Sequence, residues 1–127
     1  MANKTLSQFT YSSEKMPCNL YAQITFGATG APTLNYGGSS ISSVVRNSAG
    51  DYTITFRDVW YRLMGVDFVF NSGNSAPASP AMWVKANSIA TLGTQTLRIV
   101  FNAAGVATDP ASGEIVYIKF AMKNSSV

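Results

Sequence analysis

The chain has 127 residues, 46% of them apolar and only 12% charged, so it is long enough to bury one hydrophobic core without a metal or a disulfide. Nine Lys and Arg against six Asp and Glu give a net charge of +3, yet no two basic residues are adjacent. Nucleic-acid binding needs a basic stripe or cluster, so we expect no nucleic-acid partner. No apolar run approaches the roughly 18 residues of a membrane-spanning helix, and the N-terminus lacks the apolar segment of a signal peptide, so we expect neither membrane insertion nor secretion.

The N-terminal segment, residues 1–19, is polar and is predicted to form an extended arm outside the core. Its apolar residues lack the spacing of a helical stripe, and Pro17 closes the segment. A frayed terminus is the alternative. We favour an arm that docks on a neighbouring subunit, because the aromatic side chains of a free tail would stay in water and would gain no free energy from burial. The residues expected to make this contact are Leu6, Phe9, Tyr11 and Met16.

Residues 20–127 show the alternation of apolar and polar residues that is typical of half-buried β-strands. Short strands are predicted at residues 34–36 and 41–45, a longer one at 81–90, and Gly50 is free to turn the chain with a positive φ. Ile41, Ser43 and Val45 are expected to share one face of their strand. In the longest alternating segments, the residues expected to face the core are Leu20, Ala22, Ile24, Phe26, Tyr52, Ile54, Phe56, Leu97, Ile99 and Phe101.

Residues 47–70 are predicted to form the middle of the domain. A strand at 52–56 is followed by an aromatic crossover at 58–64, and a second alternation begins after Gly65. The crossover has room for one helical turn at most. We expect the two strands that it joins to be central.

The last strand, residues 114–123, is apolar on both faces. Such strands usually lie in the middle of a sheet or are covered by a neighbour. One face carries Val116, Ile118, Phe120 and Met122. Since the chain offers few helices to cover the other face, we expect a second copy to do so. The predicted subunit interface consists of Ile115, Tyr117, Lys119 and Ala121.

Together these patterns predict an all-β domain over residues 20–127, an antiparallel β-sandwich or jelly roll of about eight strands. Turn-forming residues separate the strands at a spacing of about ten residues. The longest such stretch, residues 71–80, is predicted to be a surface loop rather than a linker between domains.

No pattern in the sequence predicts catalysis. The chain has no His, which is the usual general base and the commonest metal ligand. Asp58 and Asp67 lie near the central strands without any sign that they pair. Asp51 and Asp109 are best explained as turn residues that bond their own backbone. Cys18 has no base to activate it, and a lone Cys fits a reducing compartment. We expect no enzyme, no metal and no cofactor.

The aromatic residues allow two interpretations. Because aromatic faces stack on sugar rings, they could line a carbohydrate-binding surface. Packing in the core and at a subunit interface is the simpler interpretation. The residues concerned are Tyr21, Tyr36, Trp60, Tyr61, Trp83 and Tyr117.

Several segments carry turn-and-strand signatures, and they are residues 41–46, 49–56, 109–113, 115–118 and 123–126. These signatures resemble those of small virion-surface proteins of tailed bacteriophages. The resemblance covers residues 20–127. Proteins of this kind are typically head-decoration (cement) proteins or knobs of head and tail fibres, and many are jelly-roll trimers.

The resemblance implies a capsid decoration protein that is made in the host cytoplasm and binds the outer surface of the virion. Its partners would be copies of itself, in a homotrimer, and the major capsid protein, whose shell it would stabilise. The N-terminal arm would help to bridge subunits and no catalytic residue is implied. The arm residues that would contact the capsid are Leu6, Phe9, Tyr11 and Met16. The alternative is a receptor-binding knob of a fibre that recognises host surface glycans through loops such as residues 27–32 and 71–80.

Overall fold

The structure, a computed structural model, describes residues 17–73 and 81–124. The first strand begins at Pro17, so residues 17–19, which we assigned to the arm, belong to a strand. The remaining arm residues lie outside the described part of the chain, as do residues 74–80 of the predicted surface loop. The arm residues predicted to contact a capsid, all outside the described ranges, are Leu6, Phe9, Tyr11 and Met16.

The described residues form nine strands and no helix, so none of them forms a helix that could cross a membrane. Residues 106–107, for which no strand was predicted, form one of the nine. The strands are β1 (Pro17–Thr25), β2 (Thr33–Tyr36), β3 (Ile41–Ser48), β4 (Asp51–Phe56), β5 (Arg62–Asn71), β6 (Ala81–Asn87), β7 (Thr96–Ala103), β8 (Val106–Ala107) and β9 (Ile115–Lys123).

The strands form two antiparallel sheets that pack face to face, which confirms the predicted all-β sandwich. One sheet has the order β2-β1-β9-β5, and the other has the order β3-β4-β7-β6 with β8 paired to β7. Strands that follow one another in sequence pair as hairpins in β1–β2, β3–β4, β6–β7 and β7–β8. These strand orders support a β-sandwich and do not assign a finer fold class such as a jelly roll.

The core lies between the sheets and includes the side chains that the alternation predicted to point inward, together with others, such as Ile89, that it did not predict. Edge-to-face aromatic contacts join the two layers: the ring centroids of Phe56 and Phe120 are 5.3 Å apart, and those of Phe26 and Tyr52 are 5.0 Å apart. Each such pair contributes about 0.5–1.5 kcal/mol beyond the burial of its area. The buried apolar residues are Leu20, Ala22, Ile24, Phe26, Ile41, Tyr52, Ile54, Phe56, Ile89, Leu97, Ile99, Phe101, Val116, Ile118, Phe120 and Met122.

The prediction that β4 and β5 both lie in the middle of the domain is wrong for β5. β4 is central in its sheet, but β5 lies at the edge of the opposite sheet. The crossover is extended and contains no helical turn. The amide of Trp60 donates to the carbonyl of Ile89, and that of Tyr61 donates to the carbonyl of Lys123. Because the crossover carries the chain from one sheet to the other, β5 cannot pair with β4.

A bulge changes which residues of β3 face the core. The register with β4 shifts between Ile41 and Ser43. As a result Val44 packs against the core, whereas Val45 is 52% exposed. The prediction that Ile41 and Val45 share a face is therefore wrong, because one extra residue reverses the side-chain alternation.

Candidate functional site

The outer face of the four-stranded sheet carries the largest group of exposed aromatic side chains in the described part of the chain. Tyr21 is 55% exposed, Tyr36 65%, Val69 64% and Tyr117 43%. They come from four different strands, β1, β2, β5 and β9, which form one continuous sheet. We call these four residues, together with Lys119, the tyrosine face.

Strand pairing explains why these residues meet. Tyr117 lies opposite Gln23 of β1 on one side and opposite Val69 of β5 on the other. Gln23 in turn lies opposite Tyr36 of β2. Residues directly opposite one another on one face of a sheet have Cβ atoms about 4.5–5.5 Å apart. The tyrosine face is therefore held by backbone hydrogen bonds and not by loops.

The central strand β9 supplies the middle of this surface. Its even-numbered residues, such as Val116 and Ile118, are buried in the core, so its odd-numbered residues point outward. The predicted interface residues all lie on this outward side, and they are Ile115, Tyr117, Lys119 and Ala121. The predicted central position of β9 is confirmed, since β1 and β5 flank it.

A shallow groove of about 320 Å³ runs across the tyrosine face. Its walls include the rings of Tyr21, Tyr36 and Tyr117. The side-chain amide of Asn71 donates to the hydroxyl of Tyr117 at 3.2 Å. This contact holds the phenol in place, while its ring stays exposed.

The charges on this face nearly cancel. Lys119 lies 3.8 Å from Asp67, whose side chain is 81% exposed. Such a pair in water contributes about 0–1 kcal/mol at most. The surface is thus close to neutral, apolar and easily desolvated, which suits a protein interface better than an ionic ligand.

The other aromatic residues of the proposed carbohydrate surface lie elsewhere. Trp60 is half-buried in the crossover, and the ring of Tyr61 packs under the guanidinium of Arg62 at 5.6 Å. Trp83 lies on β6, at the edge of the other sheet. The structure therefore brings together three of the six aromatic residues and separates the remaining three.

Asp51 is the centre of a charge cluster that the sequence interpretation missed. Its buried carboxylate accepts two hydrogen bonds from Arg98, both at 2.7 Å, and one each from Lys85 and Asn47, both at 3.1 Å. The hydrogen bonds from Arg98 outweigh the effect of burial and hold the pKa of Asp51 well below its usual range. The expectation that the Asp51 carboxylate bonds its own backbone is wrong, because it bonds the side chains of Asn47, Lys85 and Arg98, the last of which lies 47 residues away.

Asp109 forms a second cluster at the end of the sandwich. It accepts hydrogen bonds from Arg46 at 3.0 and 2.8 Å, from the amide of Gly50 at 2.9 Å and from the hydroxyl of Tyr52 at 2.8 Å. Burial alone raises the pKa of Asp109, but these donors bring it below its ordinary value. Burial, followed by the contact with Asp109, raises the pKa of Tyr52, so its hydroxyl keeps its proton. The local-turn interpretation of Asp109 is also wrong, since its partners are about 60 residues away.

Both clusters fit a structural role. A carboxylate surrounded by cationic and neutral donors with a lowered pKa is a poor general base near neutral pH. Asp51 and Asp67 lie on different sheets and do not form a carboxylate pair. Within residues 17–73 and 81–124, no three His, Cys, Asp or Glu side chains come close enough to hold a metal ion. Cys18 is half-buried and packs against the core.

Comparison with known proteins finds no matching family model, no matching curated protein and no matching solved structure.

Proposed function

We propose that this protein is a non-catalytic assembly protein that binds copies of itself through the tyrosine face and decorates the outside of a phage capsid. The observation that carries the proposal is the row of exposed side chains, Tyr21, Tyr36, Val69 and Tyr117, on one face of a sheet. Tyrosine is enriched at protein interfaces because it offers a large apolar ring with one polar end.

The rigidity of the tyrosine face supports this role. Its residues sit on paired strands, so little conformational entropy is lost when a partner covers them. Lys119 and Asp67 offer one cation and one anion, which oppositely charged side chains on a different patch of the next copy can match. A sheet face with these properties is suited to repeated contacts between identical subunits.

The proposed partners are two further copies, in a homotrimer, and the major capsid protein. Three heterologous contacts related by a three-fold axis close a ring and leave no free interface. A decoration protein that binds only the assembled shell stabilises that shell by mass action, and several sites per trimer strengthen the binding through effective concentration. The resemblance of residues 20–127 to virion-surface proteins supports the choice of a capsid over other lattices.

The mass of the protein in solution tests the proposal. Val69→Asp places a charge on the tyrosine face and is expected to convert a trimer into a monomer, because burial of an unpaired carboxylate opposes association. Sedimentation equilibrium measures the mass. Val106→Asp is a matched control, since Val106 is 65% exposed against 64% for Val69 but lies on β8.

The control is expected to keep the trimeric mass and to co-sediment with expanded capsids, whereas Val69→Asp loses both properties. A wild-type protein that stays monomeric at all concentrations and does not bind capsids would overturn the proposal. An unchanged mass for Val69→Asp would show that the copies do not associate through the tyrosine face.

The groove also favours a second candidate, a fibre knob that binds glycans. Three tyrosine rings line one groove, and sugar rings stack on aromatic faces. In this case Tyr36→Ala abolishes binding to a glycan array, and the mass in solution does not change. A wild-type protein that binds no glycan would remove this candidate, and glycan binding that survives Tyr36→Ala and Tyr21→Ala would remove the groove as its site.

A further inference from the structure

A second apolar groove runs along the open side of the sandwich, between the edges of β5 and β6. One part, of about 310 Å³, is lined only by apolar residues and glycine, among them Leu63, Val66, Met82 and Trp83. A second part, of about 210 Å³, continues past Leu63 to residues 87–91. We call the two parts together the edge groove.

The strand beside this groove has a free edge. Among the described residues, β5 pairs only with β9, and β6 pairs only with β7 and not with β5. β5 is ten residues long, so one whole row of its backbone amides and carbonyls faces away from the sheet. Such an edge is a template for an added strand. Met64 lines the groove at this edge and is 40% exposed.

We infer that residues 1–16 of a neighbouring copy add a strand to β5 and place Phe9 and Tyr11 in the edge groove. The inference rests on the proposed self-association and identifies the surface that receives the arm. Phe9 and Tyr11 are two residues apart and so lie on the same face of a strand. Their rings match the larger part of the groove, which is lined by apolar residues such as Leu63 and Met82.

The length of the arm fits this role. Sixteen residues precede Pro17, where β1 begins. Ten of them suffice to pair along all of β5, and the remaining six span about 20 Å when extended. The arm can therefore reach a neighbour and still cover the whole edge.

The point where the chain enters β1 favours a neighbouring copy over the same chain. Pro17 pairs with Lys123, and Lys123 pairs with Arg62 at the start of β5. Because β1 and β5 both pair antiparallel to β9, they run in the same direction, so an arm reaching its own β5 must reverse and cross the end of β9.

A mixing experiment with full-length chains tests the inference. In a Cys18→Ser background, one population carries Phe9→Cys and the other carries Met64→Cys. After mixing and mild oxidation, we expect a disulfide between two chains, identified by mass spectrometry of the linked peptides. A control population with Val45→Cys, on the edge strand β3 of the other sheet, is expected to form at least tenfold less linked product with Phe9→Cys.

A chain that carries both Phe9→Cys and Met64→Cys distinguishes an arm of the same chain from an arm of a neighbouring copy. A link within one chain, with none in the mixture, would show that the arm covers its own groove and would overturn the inference. Equal linking to the Met64→Cys and Val45→Cys populations would overturn it as well.

Hydrogen exchange gives a second measurement in chains without new cysteines. Phe9→Asp is expected to raise exchange of the β5 amides by about tenfold or more, the equivalent of losing roughly one or two hydrogen bonds' net contribution. Unchanged exchange would contradict the inference. If these tests fail while Val69→Asp still dissociates the trimer, the arm contact is lost and the tyrosine-face proposal stands.

Discussion

Asp51 shows how a single buried acid holds several strands together. Its carboxylate is only 4% exposed and joins β4 to Arg98 of β7 and Lys85 of β6. Both cations are partly in water, at 40% and 51% exposed, which weakens each contact relative to a fully buried pair. The cluster therefore ties three neighbouring strands of one sheet, and the hydrogen bonds from Arg98 offset the cost of burying the carboxylate.

Asp51→Asn is expected to lower the free energy of unfolding by about 1–3 kcal/mol, because an amide cannot balance Arg98 and Lys85. Urea unfolding at neutral pH measures this change. Asp67→Asn is the control, since Asp67 is 81% exposed and its contact with Lys119 is long, so we expect a loss below about 0.5 kcal/mol. Equal effects of the two substitutions would contradict a special role for Asp51.

The sequence indicates which face of its strand Asp51 lies on, but it indicates the contact with Arg98 only once the strand pairing is known. Because side chains alternate along a strand, Asp51 lies on the opposite face of β4 from Tyr52 and Ile54. Arg98 likewise lies on the opposite face of β7 from its apolar neighbours, so both residues are on the outer face of the sheet. Their contact follows from the pairing of Ile54 with Leu97. Local patterns give the facing of each residue and do not give the partner strand.

At the scale of the strands, the same limit separates what could be predicted from what could not. Period-two alternation identified the strands and the inward residues, because burial of one face of a strand places an apolar residue at every second position. A bulge adds one residue and leaves no such trace, so the facing of Val45 could not be predicted. The edge position of β5 depends on which strands β9 pairs with, and no residue of β5 encodes that choice.

The turn between β3 and β4 depends on Gly50. Its φ is +71°, and a Cβ there would lie 2.5 Å from the carbonyl oxygen of Phe101 and 2.6 Å from the amide of Thr108. Its own amide also donates to Asp109. The predicted positive φ is confirmed, whereas the close approach of two distant segments could not be seen in the sequence.

Gly50→Ala is expected to destabilise the protein by about 2 kcal/mol or more, since it adds a backbone clash to the cost of a positive φ. Gly105→Ala isolates the second cost, because Gly105 has φ +81° and no atom within 4 Å of the added Cβ. Its expected loss is about 1 kcal/mol. Thermal unfolding of both variants measures the difference, and equal losses would show that the clash relaxes at little cost.

For the whole molecule, the sequence predicted half of the candidate site. The outward phase of Tyr117 follows from the two-faced apolar pattern of β9, and that of Tyr21 follows from the alternation of β1. Their meeting with Tyr36 and Val69 required the order β2-β1-β9-β5. The free edge of β5 required the same information, so the two proposed binding surfaces depend on strand order more than on any motif.

The two acid clusters also make the stability of the whole fold depend on pH. Folding lowers the pKa of Asp51 and of Asp109, so each contributes stability that is complete above its unfolded pKa of about 4 and is lost as the pH falls further. We expect the urea midpoint of the wild type to be constant from neutral pH to about 5 and to fall below about 4. Asp51→Asn starts from a lower midpoint and falls less steeply, because only Asp109 of the two still takes up a proton there. Parallel acid profiles for the two proteins would show that Asp51 does not supply this dependence.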